Sequence, residues 1–401
     1  MTEADALTVL CLASYEKGEE FMRECHRLGC RVLLVTLESL KKAAWPREAI
    51  TETFYMPRDL GREDLLKGVS HIARTRRLDR IVALDDFDVE TAALLREHLR
   101  VAGMGETTAR YFRDKLAERM KARSAGIPVP DFVHVLNDEA IRAFAAAVGP
   151  PWILKPRSQA AAMGMKRVDR LEDLWPAIDS LGDRRSFYLL ERFVPGDVFH
   201  VDAIVRGRAV VFQAMHRYGQ PPFEVAHAGG VFTTMTVPKH DPAWSALAAM
   251  NRDVLALFGM VRGVAHTEFI RNAADGVLLF LETSARVGGA HIVDLVEAET
   301  GLNLWREWAR LEVAGEDGAY DPPPLADRHA GLVLTLARQE RPDLSAYADP
   351  EIVYRVKKPH HAGLIVASAD QARVRALVEE YASRFTADFF AFAPAPEEPP
   401  E

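Results

Sequence analysis

Short apolar runs alternate with polar stretches of helical spacing along the first hundred residues. Leu7 to Ala13 reads as a buried strand, Glu19 to Leu28 as a helix stopped by Gly29, and Arg31 to Val35 as a second buried strand. A third strand, Arg80 to Leu84, ends in Asp85-Asp86 and leads into a helical run from Val89 to Leu99. This alternation predicts a doubly wound parallel sheet. The residues after the first strand, Ser14-Tyr15-Glu16-Lys17-Gly18, lack the Gly-x-Gly-x-x-Gly spacing of a dinucleotide loop.

From Thr107 to Ser124 the pattern is helical and strongly charged, and Ala125-Gly126-Ile127-Pro128-Val129-Pro130 breaks it. Gly126 suits a left-handed C-cap, and the prolines force extended backbone. An α+β region follows. Strands are predicted at 131–135, 152–155, 166–168 and 187–193, and helices at 138–148 and 171–181. Further strands fall at 199–205, 209–215 and 231–237, and a helix at Pro242–Phe258. His266–Ile270 and Val277–Thr283 read as an antiparallel pair joined by the turn 272–276. Asp321-Pro322-Pro323-Pro324 reads as a linker. Strand-like runs at 330–336, 352–356 and 363–368 and a helix at 369–383 make a small C-terminal α+β module. The proline- and glutamate-rich end, 393–401, reads as frayed. The expected division is 1–105, 106–312 with a covering subdomain at 115–195, and 313–401.

Composition adds bounds. At 401 residues, with 48% apolar and 27% charged residues, the chain has room for two or three domains. A net charge of −8 argues against nucleic acid as a partner. No apolar run is long enough to span a bilayer, and the acidic start lacks the basic segment of a signal peptide. Cys11, Cys25 and Cys30 have no metal-like spacing and read as reduced core thiols of a cytoplasmic protein. The histidines show no zinc spacing, and there is no Gly-x-Ser-x-Gly elbow.

Candidate chemistry clusters late in the middle region. Glu268 and Glu282 fall on the two strands of the predicted hairpin, where their side chains could face each other. Two buried carboxylates repel unless a cation such as Mg2+ joins them. The alternative, a pair of solvent-facing glutamates, is weakened by the dense apolar flanks. Ser284 and Arg286 follow Glu282 at period 2, offering a neutral oxygen and a fork of donors. Upstream, Lys155 ends an apolar strand before a small-residue loop from Ser158 to Gly164, suited to folding over phosphates. Taken alone, Lys155 reads as a snorkelling edge lysine and Lys115 as an exposed helix lysine. The strand ending at Glu191-Arg192-Phe193-Val194 could offer main-chain groups to an adenine edge, with Glu191 accepting from its amino group. A lysine, a mobile loop, two carboxylates and an arginine together point to an ATP-dependent enzyme.

From about Asp79 to Glu297 these segments resemble the ATP-grasp superfamily. The resemblance rests on Arg113-Asp114-Lys115, Ile153-Leu154-Lys155-Pro156, Glu191-Arg192-Phe193-Val194, Thr267-Glu268-Phe269 and Glu282-Thr283-Ser284-Ala285-Arg286, in that order. It implies a central two-subdomain ATP-grasp fold behind the parallel-sheet domain. It also implies ATP bound by Lys115, Lys155, Ser158, Gly164, Glu191, Phe193 and Val194, with His200 as a sugar contact. Mg2+, or Mn2+, would lie on Glu268, Glu282 and Ser284, and Arg286 would be catalytic. The chain departs from the family in Ser284, where asparagine is usual, in its alanine-rich loop, and in Val198, where a ribose-binding glutamate is common. Ala285 to Ile292 and His227-Ala228-Gly229-Gly230 resemble dipeptide-forming amino-acid ligases. The implied activity joins a carboxylic acid, an amino acid, to an amine through an acyl phosphate, with a homodimer compatible. Rival readings are a biotin-carboxylase-like or purine-biosynthetic enzyme, and a nucleotide-binding protein without turnover.

Overall fold

The computed structural model describes residues 6–160, 162–315 and 318–393. The predicted frayed end beyond Ala393 and one position of the alanine-rich loop, 161, lie outside the described residues. The chain opens on β1 (Thr8–Ala13), α1 (Glu19–Arg27), β2 (Arg31–Leu37), β3 (Glu52–Met56), α2 (Arg62–Ala73), β4 (Arg80–Ala83) and α3 (Val89–Leu99). The four strands are parallel, in the order β3-β2-β1-β4. Every residue of β1 is buried. Leu10 and Leu12 enter one core and Val9, Cys11 and Ala13 another, because a central parallel strand is covered on both faces. That is why β1 reads as an unbroken apolar run. β3 and α2 were not foreseen: all five residues of β3 are only partly buried, and its apolar run is only Phe54-Tyr55-Met56.

The charged stretch before Gly126 is not one helix. It is α4 (Glu106–Ala109), a 3-10 turn over Arg110–Phe112, and α5 (Lys115–Ser124). Asp114 caps α5, accepting from the amides of Leu116 at 3.1 Å and Ala117 at 3.4 Å. The 3-10 turn keeps the side-chain pattern nearly helical, so the break is silent in the periodicity. Gly126 takes φ +78° after α5, as its position suggested.

Next come β5 (Phe132–His134), α6 (Asp138–Ala147), β6 (Trp152–Pro156), β7 (Lys166–Val168), α7 (Leu171–Asp179) and β8 (Tyr188–Arg192). They form an antiparallel sheet, β5-β8-β6-β7, over a core of Ile141, Trp152, Leu154, Leu174 and Leu190.

The third sheet has eight strands. The elements are β9 (Gly196–Arg206), β10 (Ala209–Tyr218), α8 (Pro222–Ala228), β11 (Phe232–Thr236), α9 (Pro242–Phe258), β12 (Arg262–Asn272) and β13 (Leu278–Ser284). After them come α10 (Ile292–Thr300), α11 (Leu304–Ala314), β14 (His329–Leu336), β15 (Ile352–Arg355), β16 (His361–Ser368) and α12 (Gln371–Asp388). The order is β13-β12-β9-β10-β11-β14-β16-β15, antiparallel throughout. The C-terminal strands thus continue the central sheet through the β11–β14 pairing. Among the described residues no helix is long and apolar enough to cross a membrane.

Candidate active site

The hairpin β12–β13 sets Glu268 directly opposite Glu282, as the sequence suggested. Both carboxylates border a cavity of about 870 Å³ between the three sheets, a size suited to a small-molecule site. Tyr218 donates its hydroxyl to Glu268 Oε1 at 2.8 Å. Lys115 Nζ lies 3.0 Å from Glu282 Oε2. Burial opposes the Glu282 charge, but Lys115 and Lys155 outweigh it and hold the carboxyl below its usual range. Two facing carboxylates bordering one cavity are oxygen donors of the kind a hard divalent cation takes.

Ser284 was expected beside them. It stands opposite His266, but it is not among the residues bordering the cavity. β13 ends at Ser284, and the period-2 alternation ends with it. Arg286 still reaches the cavity, beyond the strand. Its Nε donates to Asp86 Oδ2 at 2.7 Å, its Nη2 donates to the same oxygen, and Nη1 donates to the Val287 carbonyl at 2.8 Å. Burial works against the guanidinium charge, but Asp86 more than offsets it and raises the Arg286 pKa.

Lys155 is neither exposed nor at an edge. It is buried in β6 and donates to Glu191 Oε1 at 2.7 Å, while Arg119 Nε donates to Oε2 at 2.7 Å. Burial pushes the Lys155 pKa down, and Glu191 only partly offsets this. For Glu191 burial acts upward, but Arg119 and Lys155 bring the carboxyl below its usual range. Glu191 borders the cavity; each of its oxygens already accepts from one cation, so it organises Lys155 and Arg119, and each keeps a further lone pair toward the adenine amino group the sequence suggested. Phe193 and Val194 border the cavity just past β8, and the Phe193 amide donates to the Pro151 carbonyl at 3.0 Å.

Lys115, which taken alone reads as an exposed helix lysine and by the resemblance as a phosphate contact, is buried at the start of α5 and donates to the Gln159 carbonyl at 2.7 Å. Arg113 Nη2 donates to the Ser158 carbonyl at 2.5 Å. Gly164 takes φ +66°, a left-handed conformation that favours glycine. Ser158 and Gly164 shape this loop, while Gln159, Ala160, Ala162, Met163 and Met165 present it to the cavity.

His200 does not meet its expectation. It is fully buried, with Nδ1 2.7 Å from Asp202 Oδ2 and Nε2 2.9 Å from Thr234 Oγ1. Neither nitrogen is open to a sugar hydroxyl. Burial lowers its pKa to about 3. Asp202 Oδ1 lies 2.9 Å from His266 Nδ1. Burial lowers the His266 pKa, but Asp202 overrides this and carries it up to about 9. The His266 ring sits behind Glu268, with Nε2 3.7 Å from Glu268 Oε1.

Four site residues escaped sequence reasoning: Asp86, Glu118, Arg119 and Tyr218. Asp85-Asp86 was visible as a strand end, but its partner Arg286 follows a strand of another sheet. Arg119 and Glu118 sat in a charged run that reads as solvated. Glu118 is in fact buried, and burial raises its carboxyl to about 8.

A family model of the ATP-grasp domain matches residues 120–300. The chain is 28% identical over 249 residues to the L-arginine-specific L-amino acid ligase of Bacillus subtilis, covering 60% of this chain and 59% of that protein. It is 30% identical over 112 residues to a D-alanine–D-alanine ligase of Nitrosomonas europaea, covering 28% of this chain and 36% of that one. The match thus spans less than two thirds of each of these curated relatives. Among solved structures, an L-amino acid ligase from Bacillus licheniformis superposes with a TM-score of 0.72 at 18% identity, covering 96% of this chain and 98% of that one. An N5-carboxyaminoimidazole synthetase from Staphylococcus aureus, complexed with ADP, gives 0.72 at 15% identity, covering 94% and 97%. At such identities these two likenesses show the fold. The lysines, the facing glutamates and the arginine come together on that fold in one cavity, and residues 120–300 of the chain match the ATP-grasp domain.

Proposed function

We propose that the chain is an ATP-dependent ligase that joins the carboxylate of an amino acid to an amine. The observation that carries the reading is the facing pair Glu268–Glu282, with Lys115 on one carboxylate and Arg286 in the same cavity. A carboxylate carbon is a poor electrophile until it carries a leaving group. A carboxylate oxygen attacks the γ-phosphorus of ATP, the bond to the β-phosphate oxygen breaks, and ADP leaves. The amine nitrogen then attacks the acyl carbon, loses a proton and expels phosphate.

Lys115 and Lys155 neutralise phosphate charge, and the loop 158–165 covers it. Phe193 and Val194 border the adenine end. Glu268 and Glu282 would hold Mg2+, or Mn2+, which when bound supplies charge neutralisation between phosphate oxygens. A guanidinium has five N–H groups, and the three hydrogen bonds of Arg286 leave two for the acyl phosphate and the charge that develops as it reacts. The names of the amino-acid ligase relatives favour an amino acid over bicarbonate as the acid, and the need for ATP fits a cytoplasmic setting.

The test is nucleotide analysis by chromatography. ADP and phosphate should form only with an added amino acid, and an amine should raise the rate. AMP as product, or bicarbonate as the required acid, would overturn the reading.

A further inference from the structure

The cavity continues well past the carboxylates. From β12 it runs over β9, β10 and β11 to β14, four strand spacings, or roughly 19 Å. Its character changes along the way. The near end holds Lys115, Lys155, Glu268, Glu282 and Arg286. The far end is lined by Tyr218, Phe223, Phe232, Leu334, Phe390 and Phe392.

These six come from five separate parts of the chain. Tyr218 ends β10 and bridges the two regions: its hydroxyl bonds Glu268 and its ring centroid lies 5.5 Å from that of Phe232. Phe232 pairs in register with Leu334 on the next strand. Phe223 belongs to α8, which covers this end. Phe390 and Phe392 follow α12, where the chain pairs back onto the sheet through the Ala337–Phe390 bridge and the Ala391 amide to the Leu336 carbonyl at 2.9 Å.

Gly229, just after α8, fixes how tightly this wall closes. A Cβ there would stand 2.9 Å from Phe390 and 2.8 Å from Phe392, and its φ is +77°. Glycine alone lets the two aromatic rings press against the end of the α8 segment. Phe392 nevertheless remains 51% exposed. Apolar surface of this kind, continuous with a reaction site, gains free energy when a ligand covers it. Glu224 also borders the cavity but is itself exposed to solvent.

We infer that this aromatic end receives the side chain of the acid substrate, and that the substrate is an amino acid with a large apolar side chain of the leucine, methionine or phenylalanine class. This rests on the ligase reading above. With the carboxylate at the Glu268–Arg286 end, a side chain laid over Tyr218 meets Phe232 and then Phe392. A methyl group is too short to reach that wall, and a charged side chain would lose its hydration against the six apolar side chains, since the carboxylate nearby, Glu224, is itself exposed to solvent.

The experiment has two arms. In the first, kcat/KM for ADP release is measured with glycine, alanine, leucine, phenylalanine, aspartate and lysine as acids and one fixed amine. Leucine should exceed alanine by roughly 50-fold, at about 0.8 kcal/mol per buried methylene. Phe392→Ala and Phe232→Ala should erase that ratio while the alanine value stays within about threefold. A flat panel, or a preference for aspartate or lysine, would overturn the inference and leave the ligase reading standing. In the second arm, the same amino acids are titrated against the protein loaded with a non-hydrolysable ATP analogue, read by calorimetry. Leucine or phenylalanine binding without ADP release from any pair would sustain the apolar site and overturn the ligase reading. No binding and no turnover would overturn both.

Discussion

Asp86 Oδ2 accepts from both Nε and Nη2 of Arg286, joining two residues 200 positions apart. Asp86 begins the 3-10 turn that follows β4 of the N-terminal sheet, and Arg286 follows β13 of the central one. The parallel-sheet domain therefore orients the arginine that the reaction would use. Burial opposes the Asp86 charge, but Arg286 and Arg113 overcome it and keep the carboxyl well below its usual range.

Asp86→Asn removes the charge but keeps an oxygen acceptor. Its kcat should fall by roughly tenfold, about 1.4 kcal/mol, with ATP affinity held within a factor of three. Steady-state kinetics and nucleotide titration give the two numbers. A variant with raised ATP dissociation constant and unchanged kcat would show that Asp86 serves nucleotide binding instead.

Arg286→Ala should lose roughly a hundredfold in rate, about 3 kcal/mol, because its partner charge develops during reaction. Glu282→Gln should abolish turnover, because it removes a negative ligand, while the far-ultraviolet dichroism stays unchanged. Turnover near the wild-type level in Glu282→Gln at ordinary Mg2+ would refute the metal assignment.

Glu191 stands between two buried cations, Lys155 and Arg119. Glu191→Ala strands both and should cost about 3–5 kcal/mol of stability. Urea unfolding would show a lower midpoint at constant slope. A loss below about 1 kcal/mol would mean that the two cations do not depend on this carboxylate.

Glu118 supplies a pH test. Its folded pKa is raised to about 8 from 4.5, mainly by burial. Above pH 4.5 the unfolded chain releases a proton that the folded chain retains. Stability contributed by this group is thus full below 4.5 and declines as pH rises through about 8. Glu118→Gln has no such proton, so it should gain on the wild type as pH rises from about 5 to 8. Parallel stability curves across that window would sink the assignment.

The loop 158–165 is tied to the site through the Ser158 and Gln159 carbonyls. Its amides should exchange more slowly with Mg-ATP than without it, as the loop settles over phosphate. Equal protection in both states would count against a covering role.

The sequence by itself determined most of the strand order and the facing of Glu268 and Glu282, while β3, α2, α8, α10 and α11 were not foreseen. The order and the facing follow from local rules: apolar alternation marks strands, and a hairpin turn aligns the residues on either side of it. It also brought forward Lys155 and Arg286, whose apolar strand and neighbours mark them. Tertiary structure decided the rest. Glu191 reads as a hinge carboxylate, but only packing reveals that Lys155 and Arg119 converge on it. His200 alternates properly along β9, yet the depth of the sheet seals it against ligands. The break at Asp114 is silent because a 3-10 turn preserves the helical pattern. Asp86 and Arg286 meet across 200 positions, and the aromatic wall draws on five separate parts of the chain. Nothing local encodes such meetings, because they depend on how separately folded sheets pack together.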